Sequence, residues 1–110
     1  MVKTDYFVVV YRILSYLLDC FDAGERADIT LFGPEAMGIN NGKWANIIES
    51  IYNEGYVTGV TLVPSVGSAP GVLARNIKIT QKGIEFLLDN TNIQKAKRFL
   101  KEVKDVVPGF

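Results

Sequence analysis

The sequence predicts a single domain of the α+β class. Apolar residues recur every three or four positions near both ends of the chain, which is the period of amphipathic helices. Between these ends lies a segment rich in β-branched and aromatic residues, punctuated by glycine and proline, which is typical of a hairpin. The 110 residues are 48% hydrophobic and 22% charged, as expected of one compact domain.

An amphipathic helix is predicted over residues 5–23. Its apolar side is one stripe at steps of three and four residues, formed by Val9, Ile13, Leu14, Leu17, Leu18 and Phe21. Gly24 ends this helix, because glycine readily takes the left-handed conformation found after helix ends. Ile29 and Leu31 then predict a short extended segment.

Two more helices are expected before the hairpin. Pro34 begins a brief helix over residues 34–38, since proline is favoured at the first helical position. Asn40 or Asn41 caps a third helix over residues 41–54, which a glycine closes. The inward face of this third helix is predicted to carry Trp44, Ile47, Ile48 and Ile51.

The middle of the chain predicts a β-hairpin over residues 56–79. Residues 56–63 are β-branched and aromatic, and Pro64 stops them. Residues 65–71 have the composition of a turn, and residues 72–79 return as the second strand. The two strands and their tip therefore form one ribbon.

Two final helices are predicted over residues 81–90 and 92–107. The complete order of elements is that of a winged helix-turn-helix, in which three helices pack together and a two-stranded wing leans on their edge. The apolar stripe of the last helix either packs against the first helix or pairs with a second copy of the chain. We favour the first alternative, because a small domain needs its apolar area for its own core.

Two motifs carry a resemblance to a known family. The third helix ends in Glu54-Gly55-Tyr56-Val57, and the hairpin returns into Ile79-Thr80-Gln81-Lys82-Gly83-Ile84-Glu85-Phe86-Leu87. With the tyrosine-rich first helix, they make most of residues 5–105 resemble the YjcQ-like family of small bacterial and phage winged helix-turn-helix proteins. The resemblance implies that the third helix is the recognition element and the hairpin the wing. Gly83 is expected to permit close packing against a neighbouring element.

Composition argues against several functional classes. The chain has no histidine, so histidine-based catalysis and zinc ligation are excluded. Cys20 is the single cysteine; it can form no internal disulfide, and we interpret it as a small buried hydrophobe in a reducing compartment. No nucleotide-binding motif and no paired carboxylates in a cleft pattern are present. We therefore expect no enzyme, no cofactor and no metal site.

No stretch reaches the roughly 18 uncharged apolar residues of a membrane-spanning helix. The N-terminal apolar run also lacks the cleavage site of a signal peptide. We therefore expect no membrane association and a cytoplasmic location.

A polar strip on the third helix is the strongest functional signal. It consists of Lys43, Asn46, Ser50 and Asn53, to which Asn41 adds the first turn. In a helix-turn-helix such side chains meet base edges in the major groove, where asparagine pairs with adenine and lysine with guanine. Arg75 and Lys78 on the returning strand, together with Lys82, form a basic cluster that can contact phosphates. These eight residues are the predicted DNA-binding site.

The distribution of charge weakens this interpretation. Glu49 and Glu54 share the third helix, and Lys43 is the single cation between Arg26 and Arg75. Residues 75–104 hold eight basic and three acidic side chains, net +5, whereas the remainder holds four and nine, net −5. The lysines of the last helix are interpreted as a solvated face rather than as phosphate contacts.

Two functions therefore stay open. The first is a DNA-binding winged-helix protein acting as a transcriptional regulator on double-stranded DNA. The second is a winged-helix module for protein–protein interaction without DNA binding, whose partner is another protein or a second copy held through the C-terminal helix. We favour the first because the fold is commonly used in that way, which is an analogy from fold alone.

Overall fold

The computed structural model describes the backbone of residues 5–106 and the side chains of residues 6–102. Within this range the chain has the α+β composition that the sequence predicts. The elements are α1 (Asp5–Ala23), α2 (Ile29–Phe32), α3 (Pro34–Met37), α4 (Asn41–Asn53), β1 (Val57–Thr58), β2 (Thr61–Val63), β3 (Gly71–Leu73), β4 (Lys78–Ile79), α5 (Gln81–Asp89) and α6 (Thr91–Val106). Residue 107, the predicted end of the last helix, lies outside the described residues.

The predicted extended segment at Ile29 and Leu31 is wrong, because these residues form the helical turn α2. The carboxylate of Asp28 caps the turn by accepting a hydrogen bond from the Thr30 N–H at 2.9 Å. The N–H of Gly33 closes it by donating to the Ile29 carbonyl at 2.7 Å. A local cap therefore overrides the alternating apolar pattern.

Helix α1 lies at the centre of the domain, in contact with α2, α4, α5, α6 and β4. Four residues of its predicted apolar stripe are buried, namely Val9, Ile13, Leu14 and Leu17, and Leu18 is half-buried. The prediction is wrong for Phe21, whose side chain is 55% exposed near the end of the helix. Cys20 is buried, as expected. Helix α6 packs along α1 and buries Ile93 and Ala96. The apolar side of the last helix thus contributes to the core of its own domain, which is the alternative favoured on the grounds of size.

The hairpin is a ribbon in two parts, defined here as residues 57–79. Strand β1 pairs antiparallel with β4, with Val57 opposite Ile79. Strand β2 pairs antiparallel with β3, with Thr61 opposite Leu73. Between the two pairs, Gly59 has a φ of 81°, and a Cβ atom there would overlap the carbonyl oxygen of Asn76.

The ribbon kinks at Gly59, between the two strand pairs. The prediction of two continuous strands is therefore wrong, because each of them is broken into two short strands. Residues 74–77 form a turn, in which the Ile77 N–H donates to the Ala74 carbonyl at 3.4 Å. Arg75 therefore lies in a turn and not on the returning strand. The beginning of the ribbon packs on the helical core through β1 and β4, whereas β3 contacts α4.

Thr80 joins the end of α4 to the beginning of α5. Its hydroxyl donates to the Gly55 carbonyl at 2.6 Å and accepts from the Gly83 N–H at 3.1 Å. A Cβ atom at Gly83 would overlap the carbonyl oxygen of Tyr56. The close packing expected at Gly83 is confirmed, and its partner is the backbone that leads into β1.

Among residues 5–106, no helix combines the length and the apolar character that crossing a bilayer requires.

Candidate functional site

Helix α4 is held in place by its cap and by its buried tryptophan. The side chain of Asn40 accepts a hydrogen bond from the Lys43 N–H at 2.7 Å, which caps the helix. The indole N–H of Trp44 donates to the Phe32 carbonyl at 2.9 Å. The predicted inward residues of this helix are all buried. The orientation of α4 is therefore determined by α1, α2 and its own first turn.

The outward side of α4 carries amide side chains. Asn41 is exposed in the first turn, and Asn46 and Asn53 are exposed further along the helix. Asn46 and Asn53 are seven positions apart, so they lie on the same side and roughly 10 Å apart along the helix axis. The half-buried carboxylate residue Glu49 lies on the same side, between them. This side of α4 is rich in hydrogen-bonding groups and carries an acidic group at its middle.

The other two residues of the predicted strip are less exposed. Lys43 is half-buried in the first turn. Ser50 is half-buried, and its hydroxyl lies 2.7 Å from the hydroxyl of Tyr6 at the beginning of α1. The Ser50 hydroxyl is therefore engaged inside the protein. Sequence reasoning missed Tyr6 because 44 positions separate it from Ser50.

The three cations assigned to the ribbon side line three different depressions. Arg75 lines a groove that also includes Asn41. Lys78 lines a hollow beside Cys20 at the end of α1. The amino group of Lys82 lies 5.8 Å from the centre of the Tyr56 ring, close to the end of α4. Arg75 is thus the cation that the structure brings to the first turn of α4.

Lys82 lies on an aromatic pair. The rings of Tyr56 and Phe86 are stacked with their centres 4.2 Å apart. Burial raises the pKa of Tyr56, and the charges of Glu54 and Tyr6 raise it further. The ring of Tyr56 offers a face to the Lys82 ammonium.

A groove of about 810 Å³ lies between the loop after α1, the first turns of α4 and strand β3. We call it the α4–β3 groove. Its walls are mostly apolar and include Ile29, Trp44, Val72 and Leu73. Arg26 and Arg75 also line it. Sequence reasoning missed this groove because Arg26 and Arg75 are 49 positions apart in the chain and no local pattern links them.

Asp28 is the acidic residue of the α4–β3 groove. Its carboxylate accepts hydrogen bonds from the Thr30 hydroxyl at 2.8 Å and from the Thr30 N–H at 2.9 Å. These bonds hold the pKa of Asp28 below its ordinary value. The backbone N–H of Asp28 donates to the Tyr16 hydroxyl at 2.8 Å, which anchors this wall to α1.

Among the side chains of residues 6–102, no group of three or more cysteine, aspartate and glutamate residues is arranged to hold a metal ion. The described side chains of α4 and of the α4–β3 groove present amides, guanidinium groups and apolar surface.

Comparison with curated proteins found no match, and comparison with solved structures found none either. Comparison with protein families found one whose description is YjcQ protein, and the match covers residues 11–106. These residues run from the first turns of α1 to the end of α6, so the match includes every element described above. The chain therefore belongs to the YjcQ protein family.

Proposed function

We propose that the protein is a winged-helix DNA-binding protein that acts as a transcriptional regulator. In this proposal α4 is the recognition helix and the ribbon is the wing. The observation that carries it is the exposure of Asn41, Asn46 and Asn53 along α4, beside a ribbon that brings Arg75 to the first turn of the same helix. Asparagine amides pair with adenine in the major groove.

The cations have the role of phosphate contacts. Arg75 and Lys82 lie near opposite ends of α4, and Lys78 lies on the core side of the ribbon. Contacts of this kind set the register of a protein on the duplex, whereas base contacts provide sequence preference. Glu49 opposes close approach to phosphates, so we expect modest affinity and a preference that the amides determine.

This role implies a cytoplasmic location, with access to DNA, and involves no catalytic activity. Double-stranded DNA is the proposed partner. The exposed lysines of α6 lie on the side of that helix away from its buried residues Ile93 and Ala96, and the proposal assigns them to solvent.

The test measures binding to a pool of short random duplexes by fluorescence anisotropy. Sequencing of the bound duplexes then identifies any sequence that the protein enriches. Each phosphate contacted should contribute a slope of about −0.9 to the dependence of log K on log salt, so three cations predict about −2.7. The variant R75A/K82A should bind more weakly and with a shallower slope. The variant K97A/R98A removes the same charge from α6 and should bind like the parent chain. Absence of binding at about 50 mM salt would refute the proposal.

A second candidate function is protein–protein interaction without DNA. The observation in its favour is exposed apolar surface, since Leu31 of α2 and Val63 and Leu73 of the ribbon are each about half exposed or more. It predicts no DNA binding at low salt and concentration-dependent association, measured by sedimentation of the purified chain. Its distinguishing variant is V63S, which should reduce association while leaving the fold unchanged.

A further inference from the structure

We propose that the α4–β3 groove binds a small amphipathic anion, meaning an organic molecule with an apolar body and one carboxylate, sulfonate or phosphate group. This groove shares Asn41 and Arg75 with the proposed DNA-binding surface, but the proposal does not depend on DNA binding. It follows from the size of the groove, from its walls and from the charges that line it.

The size and walls of the groove fit a small organic molecule. Its volume of about 810 Å³ lies within the roughly 300–1,000 Å³ of typical small-molecule sites. Three elements supply its apolar surface, with Ile29 from α2, Trp44 from α4 and Leu73 from β3. Ile29 is 49% exposed and Leu73 is 57% exposed. A bound apolar body would therefore remove surface of both side chains from water.

The charge of the groove favours an anion. Arg26 and Arg75 are both exposed, and among the residues that the structure describes neither guanidinium group has a hydrogen-bonding or ion-pair partner. The carboxylate of Asp28, in the same groove, is already engaged by the Thr30 hydroxyl and N–H. A guanidinium group binds a planar anionic group through two parallel hydrogen bonds. Two such groups beside apolar walls suit a molecule with one apolar and one anionic end.

A small molecule fits this groove better than an extended peptide. A peptide would have to pair with the free edge of β3, which is only the three residues Gly71–Leu73. So short an edge offers few of the backbone hydrogen bonds that give strand addition its affinity. A small ligand needs no strand edge, because its anionic end can bind the two arginines and its apolar body can contact the walls.

The tryptophan that lines the groove can report the binding of a ligand by its fluorescence. Trp44 is the only tryptophan of the chain, is 7% exposed and lines the groove. Its indole is held by the hydrogen bond to the Phe32 carbonyl. A ligand in the groove would lie beside this indole and change its fluorescence, and the variants below assign the binding to the groove.

The experiment titrates the full chain with 8-anilinonaphthalene-1-sulfonate in the absence of DNA, and follows both the probe and the Trp44 emission. We expect saturable binding of one probe per chain with quenching of Trp44. The neutral analogue N-phenyl-1-naphthylamine, which lacks the sulfonate, should bind at least tenfold more weakly. Thermal unfolding is measured for every variant, and only cooperatively folded variants are compared.

Two matched pairs of variants locate the binding. R26Q/R75Q should weaken binding of the sulfonate at least tenfold, whereas K97Q/R98Q, which removes equal charge from α6, should not change it. L73E places a carboxylate in the wall and should weaken binding to a similar extent, whereas L88E on α5, where Leu88 is 65% exposed, should not. The proposal is overturned if no saturable binding occurs, if the neutral analogue binds equally well, or if R26Q/R75Q and L73E bind like the parent chain. DNA affinity enters none of these measurements, so the failure of the proposed function would leave this result unchanged.

Discussion

The hydroxyl groups of Tyr6 and Ser50 lie 2.7 Å apart and join the beginning of α1 to the second half of α4. This contact gives one residue of the predicted polar strip of α4 a partner in the core helix. It also divides that strip into residues that hold α4 in place and residues that are exposed to a partner molecule.

We expect Y6F and S50A each to lower the free energy of unfolding by about 1 kcal/mol, the usual net contribution of one hydrogen bond. The double variant should cost little more than either single one, because both remove the same bond. Urea unfolding of the four proteins measures this coupling. S50A should leave DNA affinity unchanged, whereas N46A should weaken DNA binding without changing stability. A loss of DNA affinity in S50A at unchanged stability would assign Ser50 to base contact instead.

The adjacent residues Asn40 and Asn41 should separate capping from recognition. N40A removes the side chain that accepts from the Lys43 N–H and should cost about 1 kcal/mol of stability. Asn41 is exposed in the first turn of α4, so N41A should leave stability within experimental error and reduce DNA affinity. Thermal unfolding and DNA anisotropy on both variants check this. Equal destabilisation by the two changes would contradict the assignment of Asn40 as the cap.

Gly83 should tolerate no side chain. In G83A the new Cβ would overlap the Tyr56 carbonyl oxygen, and backbone cannot give way as a side-chain end can, so we expect a loss of about 1–3 kcal/mol. G42A is the control in another helix, since a Cβ there would meet Ala69 at 3.9 Å and the Asn40 side chain at 3.4 Å, which are ordinary contacts. It should leave stability unchanged or raise it by up to about 1 kcal/mol. Chemical denaturation measures both, and a neutral G83A would argue against the close packing of α5 on the β1 segment.

Acid titration should reveal the cap of α2. The Thr30 hydroxyl and N–H lower the pKa of the Asp28 carboxyl. The pKa of Asp28 is therefore lower in the folded protein than in the unfolded chain. The contribution of this carboxylate to the free energy of unfolding is fully present above the unfolded pKa of about 3.9, and it is lost as the pH falls through the folded pKa.

T30V removes the hydroxyl donor, so the pKa of Asp28 should rise toward its ordinary value, measured by carboxyl NMR. Its stability deficit relative to the parent chain should be present at neutral pH and should shrink at pH values below the carboxyl range. T91V changes an exposed threonine at the beginning of α6 and should leave the Asp28 titration unaltered. A pKa of Asp28 that is the same in T30V and the parent would contradict the role of the hydroxyl.

The ends of the helices could be predicted because their signals are local. Gly24 and Gly38 adopt positive φ values of 70° and 72° immediately after α1 and α3, and Thr80 caps α5 three residues before Gly83. Each signal acts within one helical turn. The wrong prediction at α2 also concerns a local signal, because a capped helical turn stands where an extended segment was expected. Ile29 and Leu31 are separated by one polar residue, as in a strand, but Asp28 and Gly33 bound this segment as a single helical turn.

The candidate site was only partly predictable. The exposed amides of α4 follow from the helical period, so Asn46 and Asn53 lie where the pattern predicts. The position of Arg75 does not follow from any period, because a two-part ribbon places it in a turn beside the groove. Likewise, nothing in the spacing of Arg26 and Arg75 indicates that they line one groove.

The amino-acid sequence by itself determined the α+β class, the ends and most of the apolar faces of the longer helices and the family to which the chain belongs, since caps and periodicity act over a few neighbouring residues. The tertiary structure alone decided that Ser50 meets Tyr6, that the ribbon kinks at Gly59 and that two arginines line one apolar groove. These features join segments that are far apart in the chain. Their geometry depends on how the elements pack, which no local pattern encodes.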